Sequence, residues 1–197
     1  MHNRNVIRTG FTVAELLLAM TITVLIGASV AGMVYAVSYG TSSQKDLQSV
    51  LVANDVVGSR LGAYLRSSKM VLAQGSGYLV LWKGDTDADN KPKVSELVRI
   101  EYGQAAKTIT LYKAPPGLAP GSDAAYVLDT TDFDAVTSAL KGTSSFPATP
   151  LASNVTALAF VLNKPQVKQC NFVGYRITTT INATAGTAVA GMTLRNH

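Results

Sequence analysis

From Leu16 to Gln44 the chain carries no charged side chain, and apolar residues fall on every side of the helix this stretch would form, from Leu16–Leu18 through Met20, Ile22, Val24–Ile26, Val30 and Met33–Tyr35 to Val37. A helix docked on a soluble core shows one apolar stripe. This segment is apolar all round and exceeds the ~20 residues that cross a bilayer. No proline interrupts it. Arg4 and Arg8 precede it, a basic flank that puts the N-terminus in the cytoplasm and the remainder outside.

Past Tyr39–Ser43 the pattern becomes one-sided. Leu47, Leu51, Asn54, Gly58, Leu61 and Leu65 recur at helical spacing, with Val50, Val57 and Tyr64 beside them and most charges off the stripe. This predicts an amphipathic helix within 40–70; the pattern leaves open whether Gly40–Ser43 breaks its axis. Beyond it, alternating or apolar runs predict strands at Tyr78–Lys83, Leu97–Tyr102, Thr108–Lys113, Val155–Asn163, Phe172–Ala183 and Ala188–Leu194. Gly103–Lys107 has hairpin length, and Ser76 between Gly75 and Gly77 reads as a turn. Ala114–Gly121 and Lys141–Pro150 read as loops, and Asp132–Leu140 as a short helix. The sum is an α+β arrangement, a long helix against an antiparallel sheet, with the β-rich domain over 71–197.

Composition changes this picture little. Hydrophobic residues make up 47% and charged residues 15%, an imbalance that the N-terminal segment accounts for. The net charge of +5 is scattered, without a Lys/Arg block or basic–aromatic interleaving, so it does not point to nucleic acid. Cys170 is the only cysteine and His2 and His197 the only histidines. An intramolecular disulfide and a Cys/His zinc cluster are both excluded. With the histidines at the two ends, no Ser/His/Asp set assembles, and there is no glycine-rich phosphate loop; the chain is expected not to be an enzyme. Thr178–Thr180 reads as a strand face, and the Asn154 and Asn182 sequons as chance matches.

One residue resists the hydropathy. Glu15 stands at the mouth of the apolar helix, where a carboxylate is costly unless partnered. A cleaved secretory signal has an apolar core of only about 7–15 residues, and a plain signal anchor leaves Glu15 unexplained. The string Arg8-Thr9-Gly10-Phe11-Thr12-Val13-Ala14-Glu15-Leu16-Leu17-Leu18 resembles the processing signal of type IV prepilins and type II secretion pseudopilins: a short basic leader, a glycine, then Phe-Thr-x-x-Glu and a long apolar helix.

That resemblance implies a leader over 1–10, cut between Gly10 and Phe11 by a membrane prepilin peptidase that also N-methylates Phe11, and a retained transmembrane and assembly helix over 11–39. It implies a pilin-like fold, a structural role in a pseudopilus or pilus, and partners in other pilin or pseudopilin subunits and an inner-membrane assembly platform. The chain would be a single-pass inner-membrane protein with its globular domain in the periplasm or outside the cell. Glu15 would pair with the terminal amine of a neighbouring subunit and set register. Many pilins carry a proline in the apolar segment; here Gly27 and Gly32 stand instead. They supply either a softer melting point or close packing with Ala28 and Ala31. Trp82–Asp85 followed by Glu96–Tyr102 resembles the early hairpin of a J-like minor pseudopilin, and Leu194-Arg195-Asn196 resembles the endings of minor pilins.

The last candidate is an acidic window. Asp85, Asp87, Asp89 and Glu96 occupy positions 1, 3, 5 and 12 of twelve residues, the spacing of a calcium loop, with the Lys91 carbonyl at position 7. Asn90 replaces the usual glycine at position 6, a residue that tolerates left-handed backbone. Against calcium stand Pro92, Lys91, Lys93 and the strand-like flanks. A solvated turn between two strands satisfies the same residues. The two readings give the chain either a structural role in a filament or that of a membrane-tethered, calcium-dependent binding module.

Overall fold

The computed structural model describes residues 12–195. Helix α1 (Val13–Arg66) is the first element among the described residues, and the chain divides into two compact units between Lys45 and Asp46.

In the first unit α1 is long and apolar enough to cross a membrane, with none of its most apolar window buried by the protein itself. Several of its polar side chains bond their own helix. The hydroxyls of Thr21, Thr23, Ser29 and Thr41 donate to the carbonyls of Leu18, Ala19, Leu25 and Val37 at 2.6–2.9 Å. In hydrocarbon a hydroxyl has no water to bond, so this back-bonding is the arrangement a lipid setting demands. The helix runs unbroken through Gly27, Gly32 and Gly40–Ser43.

The second unit contains the rest of α1 and two antiparallel sheets. Strands β1 (Met70–Gly75), β2 (Tyr78–Trp82), β3 (Leu97–Gly103), β4 (Thr108–Lys113) and β5 (Ala148–Ala152) form a five-stranded meander in that order. Strands β6 (Val155–Leu162), β7 (Phe172–Ile181) and β8 (Thr184–Thr193) form a second. The hairpin β1–β2 turns on Ser76-Gly77, with Gly77 at φ +84°, as the glycine-flanked turn predicts. Helix α2 (Phe133–Leu140) is capped by Asp132, whose carboxylate accepts from the N–H groups of Asp134 and Ala135.

Asn54, Val57, Leu61 and Leu65 seat this half of α1 on both sheets, in a core with Leu79, Leu81, Ile100, Leu111, Val173 and Ile177. Fully burying a residue such as Leu61 contributes roughly 2 kcal/mol. Small residues let the sheet approach: a Cβ on Gly186 would lie 2.3 Å from Val50 Cγ1, and one on Gly62 would lie 2.9 Å from Met192. Polar contacts fix the register. Thr179 Oγ1 donates to Asn54 Oδ1 at 3.0 Å, and the Tyr175 hydroxyl to the Gly58 carbonyl at 2.9 Å.

The structure corrects the expected stripe at its start. Leu47 and Leu51 are 47% and 57% exposed, and the fully buried position of that turn is Val50, which the bare Gly186 admits. Strands β1 and β5 were not expected; β1 overlaps the expected helix region only at Met70, and β5 begins within the predicted loop 141–150 and ends two residues past it. The final strand begins at Thr184, four residues before the expected Ala188.

Candidate functional site

Gly10 and Phe11, the expected cleavage and methylation positions, lie outside the described residues. Glu15 does not. The Thr12 backbone N–H and hydroxyl each donate to Glu15 Oε2 at 3.0 Å, and the Glu15 N–H returns to Thr12 Oγ1 at 3.3 Å. This is a reciprocal capping box: Thr12 is the N-cap and Glu15 the third helical residue. The sequence signal was present, since Thr-x-x-Glu before an apolar run is its signature, but the family resemblance drew attention to a partner on another chain instead. The cap bonds fall on one carboxylate oxygen, Oε2.

The acidic window divides into two. Asp85, Asp87 and Asp89 converge, with one carboxylate oxygen from each within 4.8 Å of the others. Asp85 accepts from the N–H groups of Asp89 and Asn90 at 3.1 and 2.8 Å, and Asp89 from that of Lys91 at 2.8 Å. Asn90 takes the left-handed backbone its type tolerates, φ 53°, and so does Ala88, φ 60°. The Lys93 ammonium meets two of the three, paired with Asp87 and 3.2 Å from Asp89.

Glu96 does not join them. It is buried, and its carboxylate accepts from Trp82 Nε1 at 2.9 Å, from the Thr86 N–H and hydroxyl at 2.6 and 2.7 Å, and from the Lys93 N–H at 3.3 Å. Four donors satisfy it. The residues therefore fit a calcium loop of the twelve-residue kind poorly: the closing glutamate is spent on the protein, and a lysine supplies the positive charge. Trp82 was the missed signal, because a buried indole N–H needs an acceptor, and Glu96 is the acceptor opposite it.

A second polar cluster was not anticipated. Arg99 on β3 is buried, and its guanidinium donates to Glu101 and Asp134 at 2.6 Å each and to Thr137 Oγ1 at 3.0 Å, tying the sheet to α2. Lys141 reaches Glu101 at 2.9 Å. Hydrogen bonding from Arg99 holds the Asp134 carboxyl below its ordinary range. Burial pushes Glu101 upward, but the bonds from Lys141 and Arg99 outweigh it and leave that carboxyl lowered as well. This is a structural ion network.

No protein-family model matches the chain, and no curated protein matches it. The family question therefore rests on the residues. The described residues contain no histidine, and Cys170 is buried against Asn163 Oδ1 and the Phe172 carbonyl.

Proposed function

We propose that this chain is a non-catalytic structural subunit, a minor one, of a type II secretion pseudopilus or a type IV pilus. The observation that carries the proposal is the junction at the helix mouth. A Gly-Phe-Thr-x-x-Glu string leads directly into a helix that is apolar all round and then continues as the helix of an α+β domain. A signal anchor needs only the apolar stretch. A filament subunit needs all three parts: a processing signal, a helix that exchanges lipid for neighbouring helices, and a domain carried on the same helix. Exposed Leu47, Leu51, Val52 and Val56 extend the apolar surface past the spanning segment, as lateral packing between subunits requires.

On this proposal a prepilin peptidase cuts after Gly10 and methylates Phe11, and the inner-membrane assembly platform moves the subunit into the filament through residues 11–39. The N-terminus faces the cytoplasm, and the domain lies in the periplasm or outside the cell. Gly10→Val tests the first step: the variant keeps its leader and its full mass in cells with an active peptidase, and normal cleavage overturns the assignment.

A second reading makes the chain a membrane-tethered, calcium-dependent module outside any filament. The convergence of Asp85, Asp87 and Asp89 favours it; the Lys93 ammonium on two of them and the engagement of Glu96 weigh against it. Co-purification with other pilin-like subunits separates the two.

A further inference from the structure

The second sheet carries its own helix on one side. Along β7, Val173, Tyr175, Ile177 and Thr179 point inward and are buried beneath the chain's own α1. The alternate positions face outward. There Val161 on β6, Phe172 on β7 and Val189 on β8 are 65%, 42% and 69% exposed, and the Phe172 ring extends over Gly191, where a Cβ would lie 2.2 Å from it. The open face of an antiparallel sheet is ordinarily polar. Here the three strands contain one charged residue, Arg176, which stands between Ala159 and Val189 in the ladder.

Helix α1 has a matching face. Val52, Asp55, Val56 and Ser59 stand three or four residues apart and share one side of the helix; all four are exposed, whereas Val50, Asn54, Val57 and Leu61 are buried against the sheets. Asp55 is the charge among them. Neither Asp55 nor Arg176 forms an ion pair among the described residues.

We propose that the outer face of the second sheet docks α1 of a second copy of this chain, with Asp55 of that copy on Arg176. Each surface is apolar with one charge, and the charges are opposite in sign. Their pairing fixes the register of a contact that apolar residues alone would leave free to slide. The sheet then lies between two helices, its own on the inner face and the neighbour's on the outer, as a sheet with two apolar faces demands. The helix face and the sheet face are different surfaces of one copy, so the contact is heterologous and leaves one of each open for further subunits. The inference deepens the filament reading and rests on it for its occupant: both helices run in one direction, as subunits drawn from one membrane require.

Two differently tagged full-length copies are co-expressed in membranes, one with Val56→Cys and the other with Val189→Cys, and treated with a short bis-maleimide; the native Cys170 is buried. A crosslinked product bearing both tags is expected, in excess over the products of either variant with itself. Asp55→Arg in the first copy, or Arg176→Asp in the second, lowers its yield about fivefold, the worth of one exposed charge pair, and the two swaps together restore it. All four positions are exposed, so the substitutions leave the core intact. Absence of the mixed product, an equal yield of like-with-like products, or a yield that the swaps leave unchanged or fail to restore overturns the proposal. The N-terminal residue is determined on the same preparation. Mixed product from chains that begin at Met1 keeps the contact and removes the filament reading; processed chains without mixed product do the reverse.

Discussion

Thr12 and Glu15 hold each other: two donors from Thr12 meet one oxygen of Glu15, and the Glu15 N–H answers the Thr12 hydroxyl. The carboxylate at the mouth of the apolar helix therefore has a partner within its own chain. A cap alone explains its presence in a signal anchor; a filament subunit needs its charge as well.

Glutamine separates the two roles, because it completes a capping box as glutamate does but carries no charge. Glu15→Gln is expected to be processed normally and to fail to enter the filament fraction, and Glu15→Val to behave the same way. If Glu15→Gln assembles like the wild type and only Glu15→Val fails, the cap is the whole function of Glu15. Sheared-filament yield against membrane-retained protein measures this.

Glu96 is expected to matter for the fold whatever the chain does. Glu96→Ala strands the Trp82 indole N–H and the Thr86 N–H. Leaving buried donors without acceptors costs about 1–3 kcal/mol each, so a loss of roughly 3 kcal/mol is expected in thermal or denaturant unfolding followed through Trp82. A loss under about 1 kcal/mol would mean that water replaces the carboxylate.

Lys93 is expected to take the place of a metal. The melting temperature of the wild type is predicted to be indifferent to calcium and to chelator. Lys93→Gln leaves three converging carboxylates without their ammonium and is predicted to gain calcium-dependent stabilisation. A wild-type protein that loses stability on chelation would contradict this and return the Asp85–Glu96 window to the calcium reading.

Acid is expected to act through the Arg99 network. Asp134 and Glu101 have carboxyls held below their unfolded values. The unfolded chain therefore binds protons first as pH falls, and the stability these groups supply, complete above the unfolded carboxylate range, is lost as pH drops through the lowered folded values. Arg99→Met is predicted to be less stable at neutral pH by about 1–3 kcal/mol, the worth of hydrogen bonds to charged groups, and to lose less than the wild type on acidification. Parallel pH dependences in the two proteins would place the acid sensitivity elsewhere.

How far the sequence reaches differs by element. The long apolar helix and β4 were legible because charge exclusion and alternation leave little else for them to be. β5 was not: its residues Ala148, Thr149 and Pro150 are exposed, it pairs only with β4, and a proline on an edge strand erases the usual signal. β8 starts early because Thr184–Thr187 are small residues whose strand is set by pairing with Thr178–Ile181, not by hydrophobic pattern. The stripe of α1 was misjudged at Leu47 and Leu51 because spacing alone does not say which leucine faces a glycine across the interface. In the acidic window, spacing found the three aspartates that converge but assigned Glu96 to them. The competing acceptor need of Trp82, fourteen residues away, is a tertiary demand that periodicity does not display.

The most direct test is the intact mass of the membrane-purified protein, with N-terminal sequencing. Processing as a pilin-like subunit predicts a chain that begins at N-methylated Phe11. A chain that still begins at Met1, taken from cells with an active prepilin peptidase, would contradict it and leave a simple membrane anchor.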